Sequence, residues 1–135
     1  AEPFAEEMTR SIRGLELQYA VFEVELSQCQ LGAFGSDMVV FRFSATGRNA
    51  ADLSRCASGG ELSRIMLSLK TVLNKGIDTV IYDEVDTGVS GIAAQRVGEK
   101  LATLSRNKQV ICITHLPQIA AMADSHFLIS KNIQE

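Results

Sequence analysis

The segment Ser58–Glu61, "SGGE", contains residue types that suit both helix capping and anion binding. A serine followed three residues later by a glutamate is typical of a capping box, in which each side chain bonds a backbone N–H at the helix start. Gly59 and Gly60 each cost up to about 1 kcal/mol relative to alanine in a helix, and a capping box does not need them. Glycines do leave the N–H groups of a positive helix end open to an anion. The segment therefore indicates either a capped helix alone or a phosphate-binding helix start.

Two adjacent acids, Asp83 and Glu84, follow the apolar run "TVIY". Acids in this place can simply begin a solvated loop. In phosphoryl transfer to water, one carboxylate can hold hydrated Mg²⁺ while the other orients or deprotonates the water. Small polar residues then continue to Gly91, and such a turn can lie against a neighbouring subunit.

His115 ends the run "VICITH", two residues before Pro117. A loop histidine can be an ordinary hydrogen-bonded surface residue, but beside a phosphate it can donate to the terminal oxygens as charge develops there. His126 begins a later predicted strand and lacks this setting. The sequence contains no GxxxxGK[ST] loop to cradle the other phosphates, so we expect no complete nucleotide site in this chain.

The elements that position these residues follow from hydrophobic periodicity. Apolar residues at helical spacing predict a helix from Phe4 to about Leu15. The alternating runs "YAVFEVEL" and "MVVFRFS" predict an antiparallel hairpin with one solvated face, joined by "LGAFGSD". Small and polar residues from Ala45 to Ala57 predict a loop.

Beyond the loop, helix and strand patterns alternate, which predicts parallel strands with helical crossovers. The predicted elements are a helix 59–74, a strand 79–82, a helix 92–105, a strand 110–114, a short helix 118–123 and a strand 126–130. The runs "TVIYDE" and "QVICITH" are nearly continuous apolar segments, so we expect strands covered on both faces. In such sheets ligands bind at the carboxyl ends of the strands, where Asp83, Glu84, Thr114 and His115 fall.

Composition limits the classes of protein that fit. The 135 residues, 46% of them apolar, suit a single globular domain. No apolar run is long enough for a membrane span and the first residues do not resemble a signal peptide, so we expect a cytoplasmic protein without membrane contact. The net charge of −3 gives no basic excess for nucleic acid. Three cysteines without C-x-x-C spacing suggest neither disulfides nor a zinc site, and Cys112 is expected to be buried.

The order of these signals is more specific than any one of them. A glycine signature opening a helix, then a strand ending in Asp-Glu, then a strand ending in His resembles the C-terminal half of an ABC-type ATPase head. The segments "ASGGELSRIMLSLK", "YDEVDTGVSG" and "ITHLPQIAAMADSHFLI" resemble the RecN family of bacterial SMC-like DNA repair ATPases. The likeness is strong over Leu53–Lys131 and looser over Phe4–Ser44.

The resemblance implies an α/β fold, the C-terminal part of a split P-loop ABC/SMC-type ATPase head. It would have a largely parallel sheet with flanking helices and an N-terminal antiparallel hairpin. Residues 1–16 would end a helix that is linked to a coiled coil, and residues 17–57 would form antiparallel strands and a loop. Residues 58–135 would form the lobe that carries the signature, the Walker B acids and the switch histidine.

Site roles also follow from the resemblance alone. Ser58, Gly59 and Gly60 would contact the γ-phosphate of ATP held by the opposite subunit, and Glu61 belongs to the same ATP-binding signature. Asp83 would support Mg²⁺ through water, Glu84 would position the attacking water, and His115 would be the switch residue. Ser90 stands where many ABC proteins end this turn with an aspartate, so a contact made by that aspartate is in doubt.

The implied protein hydrolyses ATP sandwiched between two heads of a homodimer and tethers DNA in double-strand break repair and recombination. It would be cytoplasmic and nucleoid-associated, and its N-terminal Walker A segment would complete the head. The present chain alone would be inactive. Two other classes remain: the nucleotide-binding subunit of a transporter, and a non-catalytic dimerisation scaffold. The Val85-Asp86 pair argues against the first, and Glu84 against the second.

Overall fold

A computed structural model of the chain describes residues 1–74, 76–83 and 85–131, with Cys56 described by its backbone alone. Its helices and strands are, in chain order, α1 (Glu2–Arg13), β1 (Val21–Gly32), β2 (Gly35–Ser44), β3 (Ala51–Asp52), α2 (Leu53–Cys56), α3 (Gly59–Leu73), β4 (Thr79–Asp83), α4 (Gly91–Ser105), β5 (Gln109–Ile113) and α5 (Pro117–Ala120). The described strands form an antiparallel sheet, β1-β2-β3, and a parallel pair, β4-β5. The predicted mixed α/β fold with an antiparallel hairpin is confirmed. None of the helices in these ranges is long and apolar enough to cross a membrane.

Helix α1 packs beside β1, at the base of the hairpin. Met8 and Ile12 on its inner face are fully buried. Between them, the Thr9 hydroxyl accepts the Phe22 N–H at 3.0 Å and lies 3.3 Å from the Phe22 carbonyl, to which it donates. Thr9 therefore satisfies backbone groups on the edge of β1, which would otherwise be left unpaired.

The predicted hairpin is confirmed, but its strands reach further into the predicted connection and leave Ala33 and Phe34 as the turn. The apolar face is covered only at the base. Phe22 and Phe43 are buried there, whereas Leu26 and Val39, a directly paired couple further along, are 55% and 51% exposed. The prediction of one dry face is wrong for the distal half, because α1 lies against the base alone.

The predicted loop at 45–57 contains two short elements. Ala51 and Asp52 form β3 against β2, and α2 follows at once. Asp52 caps α2 by accepting the Ser54 N–H at 2.9 Å and the Ser54 hydroxyl at 2.6 Å. Elements this short carry no periodicity, so the composition of the segment concealed them.

Helix α3 joins two hydrophobic cores. Ile65 and Val72 pack with α1 and the hairpin, while Leu67 packs with β4, α4 and α5. An isolated helix of this length is marginal in water, so its stability comes from these two apolar contacts.

The parallel pair β4-β5 is in register from Thr79 opposite Gln109 to Asp83 opposite Ile113. Val80 and Tyr82 are buried against α4, but Ile81 and Ile113 are more than half exposed and Ile111 nearly so. The prediction that these strands are covered on both faces is therefore wrong within this chain. Within the described residues, the two strands form a sheet that is covered on one face only.

The predicted strand at 126–130 is also wrong. This segment has no regular secondary structure and pairs with no strand in the described ranges, and Phe127, Leu128 and Ile129 are each 88% exposed. A strand forms only when a neighbour accepts its backbone hydrogen bonds. The apolar pattern is present without such a neighbour.

Candidate functional site

The start of α3 is a capping box, as predicted. The Ser58 N–H donates to Glu61 Oε2 at 2.8 Å, and the Ser58 hydroxyl accepts the Glu61 N–H at 3.4 Å. Ser58 itself is exposed. The cap holds the first turn of the helix in place while leaving its end open to solvent.

The two glycines after Ser58 have different surroundings. Gly59 is exposed, and a Cβ built on it would meet no atom within 4 Å. Gly60 is buried, and a Cβ there would stand 2.3 Å from the Gly88 carbonyl oxygen. The interpretation that both glycines are left bare for an anion is therefore corrected, since only Gly59 is open and Gly60 is a packing contact.

A second contact joins the same two segments. The Ser63 hydroxyl lies 3.0 Å from the Gly59 carbonyl and 3.1 Å from the Thr87 carbonyl, and donates toward both. Gly88, in the same turn, adopts a φ of +66°, which suits glycine. The turn 85–90, which follows the predicted acids, is thus fastened to the start of α3.

Asp83 is the last residue of β4 and is exposed at the carboxyl edge of the parallel pair. Glu84, predicted to position the attacking water, lies outside the described residues. Within those residues no group of three His, Cys, Asp or Glu side chains could hold a metal. A single carboxylate nevertheless fits Mg²⁺, which keeps several waters and is often held by one carboxylate together with substrate phosphates.

Asp86 is a buried acid whose importance the sequence did not reveal. Its side chain is 1% exposed and accepts hydrogen bonds from the Thr114 hydroxyl and, at 3.0 Å, from the His115 N–H. Burial alone would raise the pKa of Asp86, but these bonds and the His115 imidazole together hold the pKa below its ordinary value. The only hint in the sequence was that the acid stands between two apolar residues, Val85 and Val89, which the structure shows to be buried.

His115 lies just beyond β5. Its Nδ1 is 3.2 Å from Asp86 Oδ2, while its side chain is 74% exposed. The preceding Thr114 also accepts the Leu116 N–H at 3.1 Å, so the loop is held on both sides of the histidine. The predicted switch residue is thus anchored at one ring nitrogen and otherwise open to solvent.

These contacts place three predicted segments at one end of the molecule. The α3 start touches the turn 85–90 through Gly60 and Ser63, and that turn holds the loop of His115 through Asp86. Asp83 lies at the same sheet edge. His126 is on the exposed segment 126–130 and takes no part. Cys112 is half-buried rather than fully buried, and burial raises the pKa of its thiol to about 11.

The fold is that of an SMC-type ATPase head. An Smc head domain from Pyrococcus yayanosii matches 91% of this chain and 23% of its own, with a TM-score of 0.74 and 21% identity. A second structure, described as showing ATP-driven dimerization and DNA-stimulated activation of SMC ATPases, matches 97% of this chain and 80% of its own, with a TM-score of 0.63 and 14% identity.

Within that class the chain is similar to the DNA repair protein RecN. It is 40% identical to RecN of Bacillus subtilis, with 100% of the chain and 27% of the relative covered, and 47% identical to RecN of Halalkalibacterium halodurans, with 94% and 25% covered. The resemblance to the RecN family is therefore confirmed along nearly the whole chain. The chain spans about a quarter of the length of these curated relatives. No family model matches it.

Proposed function

We propose that this chain is the C-terminal half of the ATPase head of an SMC-like DNA repair protein, and that the head binds and hydrolyses ATP. The observation that carries the proposal is the assembly at one end of the fold of an open helix start, an exposed acid after β4 and an exposed histidine after β5. An α/β sheet binds ligands at this end.

Each predicted site residue has a role in this proposal. Ser58 and the backbone N–H of Gly59 contact the γ-phosphate of ATP held by the opposite head. Gly60 and Glu61 hold that helix start in its conformation. Asp83 holds Mg²⁺ through water, and the bound ion offsets phosphate charge. Glu84 orients the attacking water, and His115 contacts the terminal phosphate.

The missing phosphate-binding loop is supplied by the N-terminal Walker A segment of the same protein. The uncovered side of the parallel pair supports this assignment, because Ile81, Ile111 and Ile113 leave an apolar face open to solvent. Soluble proteins rarely leave such a contiguous face without a partner. The exposed segment 126–130 offers a further strand to the same partner.

ATP bound between two heads closes a homodimer, and hydrolysis reopens it. This chain resembles in fold a structure whose description refers to ATP-driven dimerization of SMC ATPases, and that resemblance supports the cycle. In the full-length protein, closing and opening of the heads controls the tethering of DNA during double-strand break repair and recombination at the nucleoid. The names of the RecN relatives support the repair role.

Two assays test the proposal. ATP hydrolysis is measured for this chain alone and for the chain mixed with the N-terminal segment, and only the mixture is expected to be active. Robust hydrolysis by the isolated chain would refute a split site. In the full-length protein, Glu84→Gln is expected to keep ATP binding and trap closed dimers on sizing chromatography. Glu99→Gln, which changes an acid of α4 that pairs with Arg96, serves as the matched control, and elution of the Glu84 variant only as monomers with ATP would contradict the cycle.

A further inference from the structure

We propose that Asp86 is a positioning residue for His115, and that its carboxylate fixes which nitrogen of the imidazole faces the nucleotide. This inference rests on the proposed ATPase function, since it assigns a partner to the switch histidine of that site. It concerns a residue that neither contacts the nucleotide nor holds the metal ion in the proposed mechanism.

The geometry supports the assignment through two attachments to the same residue. Asp86 Oδ2 accepts the His115 backbone N–H at 3.0 Å and lies 3.2 Å from His115 Nδ1. An oxygen that accepts the backbone N–H of one histidine and also lies 3.2 Å from its ring limits the positions that the ring can take. The Thr114 hydroxyl donates to the same oxygen.

The chemistry of the pair decides the tautomer. An ionised carboxylate only accepts hydrogen bonds, so the nitrogen that faces it must carry a proton. With Nδ1 facing Asp86, Nε2 is the nitrogen available to a ligand, and it donates to a phosphate oxygen when the ring carries a proton on both nitrogens. Carboxylates that bind the second nitrogen of a functional histidine commonly set its orientation in this way.

The position of Asp86 makes it suited to this task. Its side chain is almost fully buried, as are the nearby Val85 and Val89, whereas the imidazole beside it is mostly exposed. The turn that carries Asp86 is itself fastened to α3 through Gly60 and Ser63. The anchor of the histidine is therefore a fixed part of the fold rather than a mobile surface group.

The kinetic experiment uses the full-length protein. Asp86→Asn is expected to lower kcat for ATP hydrolysis by about 10- to 100-fold, as for other residues that support a functional histidine, with KM for ATP changed less than about twofold. In a His115→Ala background, Asp86→Asn is expected to cause no further loss, because its effect passes through the imidazole. An additive loss in the double variant would overturn the proposal.

Thr114→Val is the matched control, since it removes a hydrogen bond to the same oxygen without touching the imidazole. It is expected to reduce kcat much less than Asp86→Asn. Equal losses of kcat for the two variants would show that Asp86 only holds the loop in place, and would overturn the proposal.

A spectroscopic readout tests the pair without relying on activity. In histidine-labelled full-length protein, nitrogen-15 shifts are expected to show the His115 proton on Nδ1, with His115→Gln used for assignment. A neutral ring with its single proton on Nε2 would overturn the role of Asp86 even in an active enzyme. Absence of ATP hydrolysis in the unmodified protein, together with the expected tautomer, would instead refute the proposed function and leave the Asp86–His115 pair supported.

Discussion

At the scale of single residues, Gly60 and Gly88 contact each other through their backbones, and this contact determines which substitutions each position can tolerate. A Cβ on Gly60 would stand 2.3 Å from the Gly88 carbonyl oxygen, and a Cβ on Gly88 would stand 2.8 Å from the Gly60 nitrogen. Neither gap admits a methyl group without movement of the backbone. Gly59, one residue earlier, faces open space.

We therefore expect alanine substitutions at Gly59 and Gly60 to have opposite effects on stability. Gly60→Ala is expected to lower the free energy of unfolding by about 1–3 kcal/mol, because it overpacks a fixed contact. Gly59→Ala is expected to be neutral or to stabilise by up to about 1 kcal/mol, since alanine favours the helix and meets nothing. Urea denaturation of both variants measures the difference. A Gly60 variant as stable as the Gly59 variant would refute the close contact.

The thiol of Cys112 has a predicted pH dependence. Burial raises its pKa to about 11, so the neutral thiol dominates up to that pH and the reactive thiolate is scarce at pH 8. We expect alkylation of Cys112 by iodoacetamide at pH 8 to be about 100-fold slower than for an unperturbed thiol, and to rise about tenfold per pH unit until near the pKa. Peptide mapping by mass spectrometry measures the rate, with exposed Cys29 as internal reference. A rate already at its plateau by pH 9 would contradict the raised pKa.

At the scale of elements, the hairpin is a packed base with a solvated tip. Phe43 is 1% exposed at the base and belongs to the core with α1 and α3, whereas Phe34 at the turn is fully exposed. Phe43→Ala is expected to cost about 3–5 kcal/mol of stability, and Phe34→Ala less than about 0.5 kcal/mol. Thermal unfolding of the two variants measures this contrast, and a large loss from the Phe34 variant would show that the tip is packed in solution.

How far the sequence predicted each element depended on where its stabilising partners lie. Helix α3 was predicted nearly to the residue, because the Ser58 cap and the apolar spacing are both local signals. The two-residue β3 had no periodicity to recognise. Asp86 resembled one more polar residue of an exposed turn, because its donors, Thr114 and His115, are distant in sequence.

The same contrast between local signals and partners distant in sequence applies to the residues of the site. The sequence indicated the capping box, Asp83 and His115 because each follows an apolar run or opens a helix. It could not show that Gly60 packs against another backbone segment, since that contact depends on where Gly88 lies. The strand predicted at 126–130 failed for a related reason, because the apolar alternation of a strand does not reveal whether a neighbouring strand is present.

At the scale of the whole molecule, the open face of β4-β5 predicts a defined partner interface. Ile111→Lys is expected to weaken binding of the N-terminal segment by about tenfold or more, since burial of such a side chain contributes about 1.5–3 kcal/mol. Ile92→Lys, on α4, is the control, since Ile92 is an even more exposed isoleucine away from that face. Titration calorimetry with the N-terminal segment measures both. Equal affinities for the two variants would place the interface elsewhere.

The segment 126–130 is exposed throughout and carries three large apolar side chains. A short, exposed, apolar run of strand-forming residues is a template for pairing between identical chains. Charged residues stand on both sides of it, Asp124 before and Lys131 after. Such flanking charges act as gatekeepers that slow intermolecular stacking. Until a neighbouring strand covers it, the solubility of a newly synthesised chain depends on these two charges.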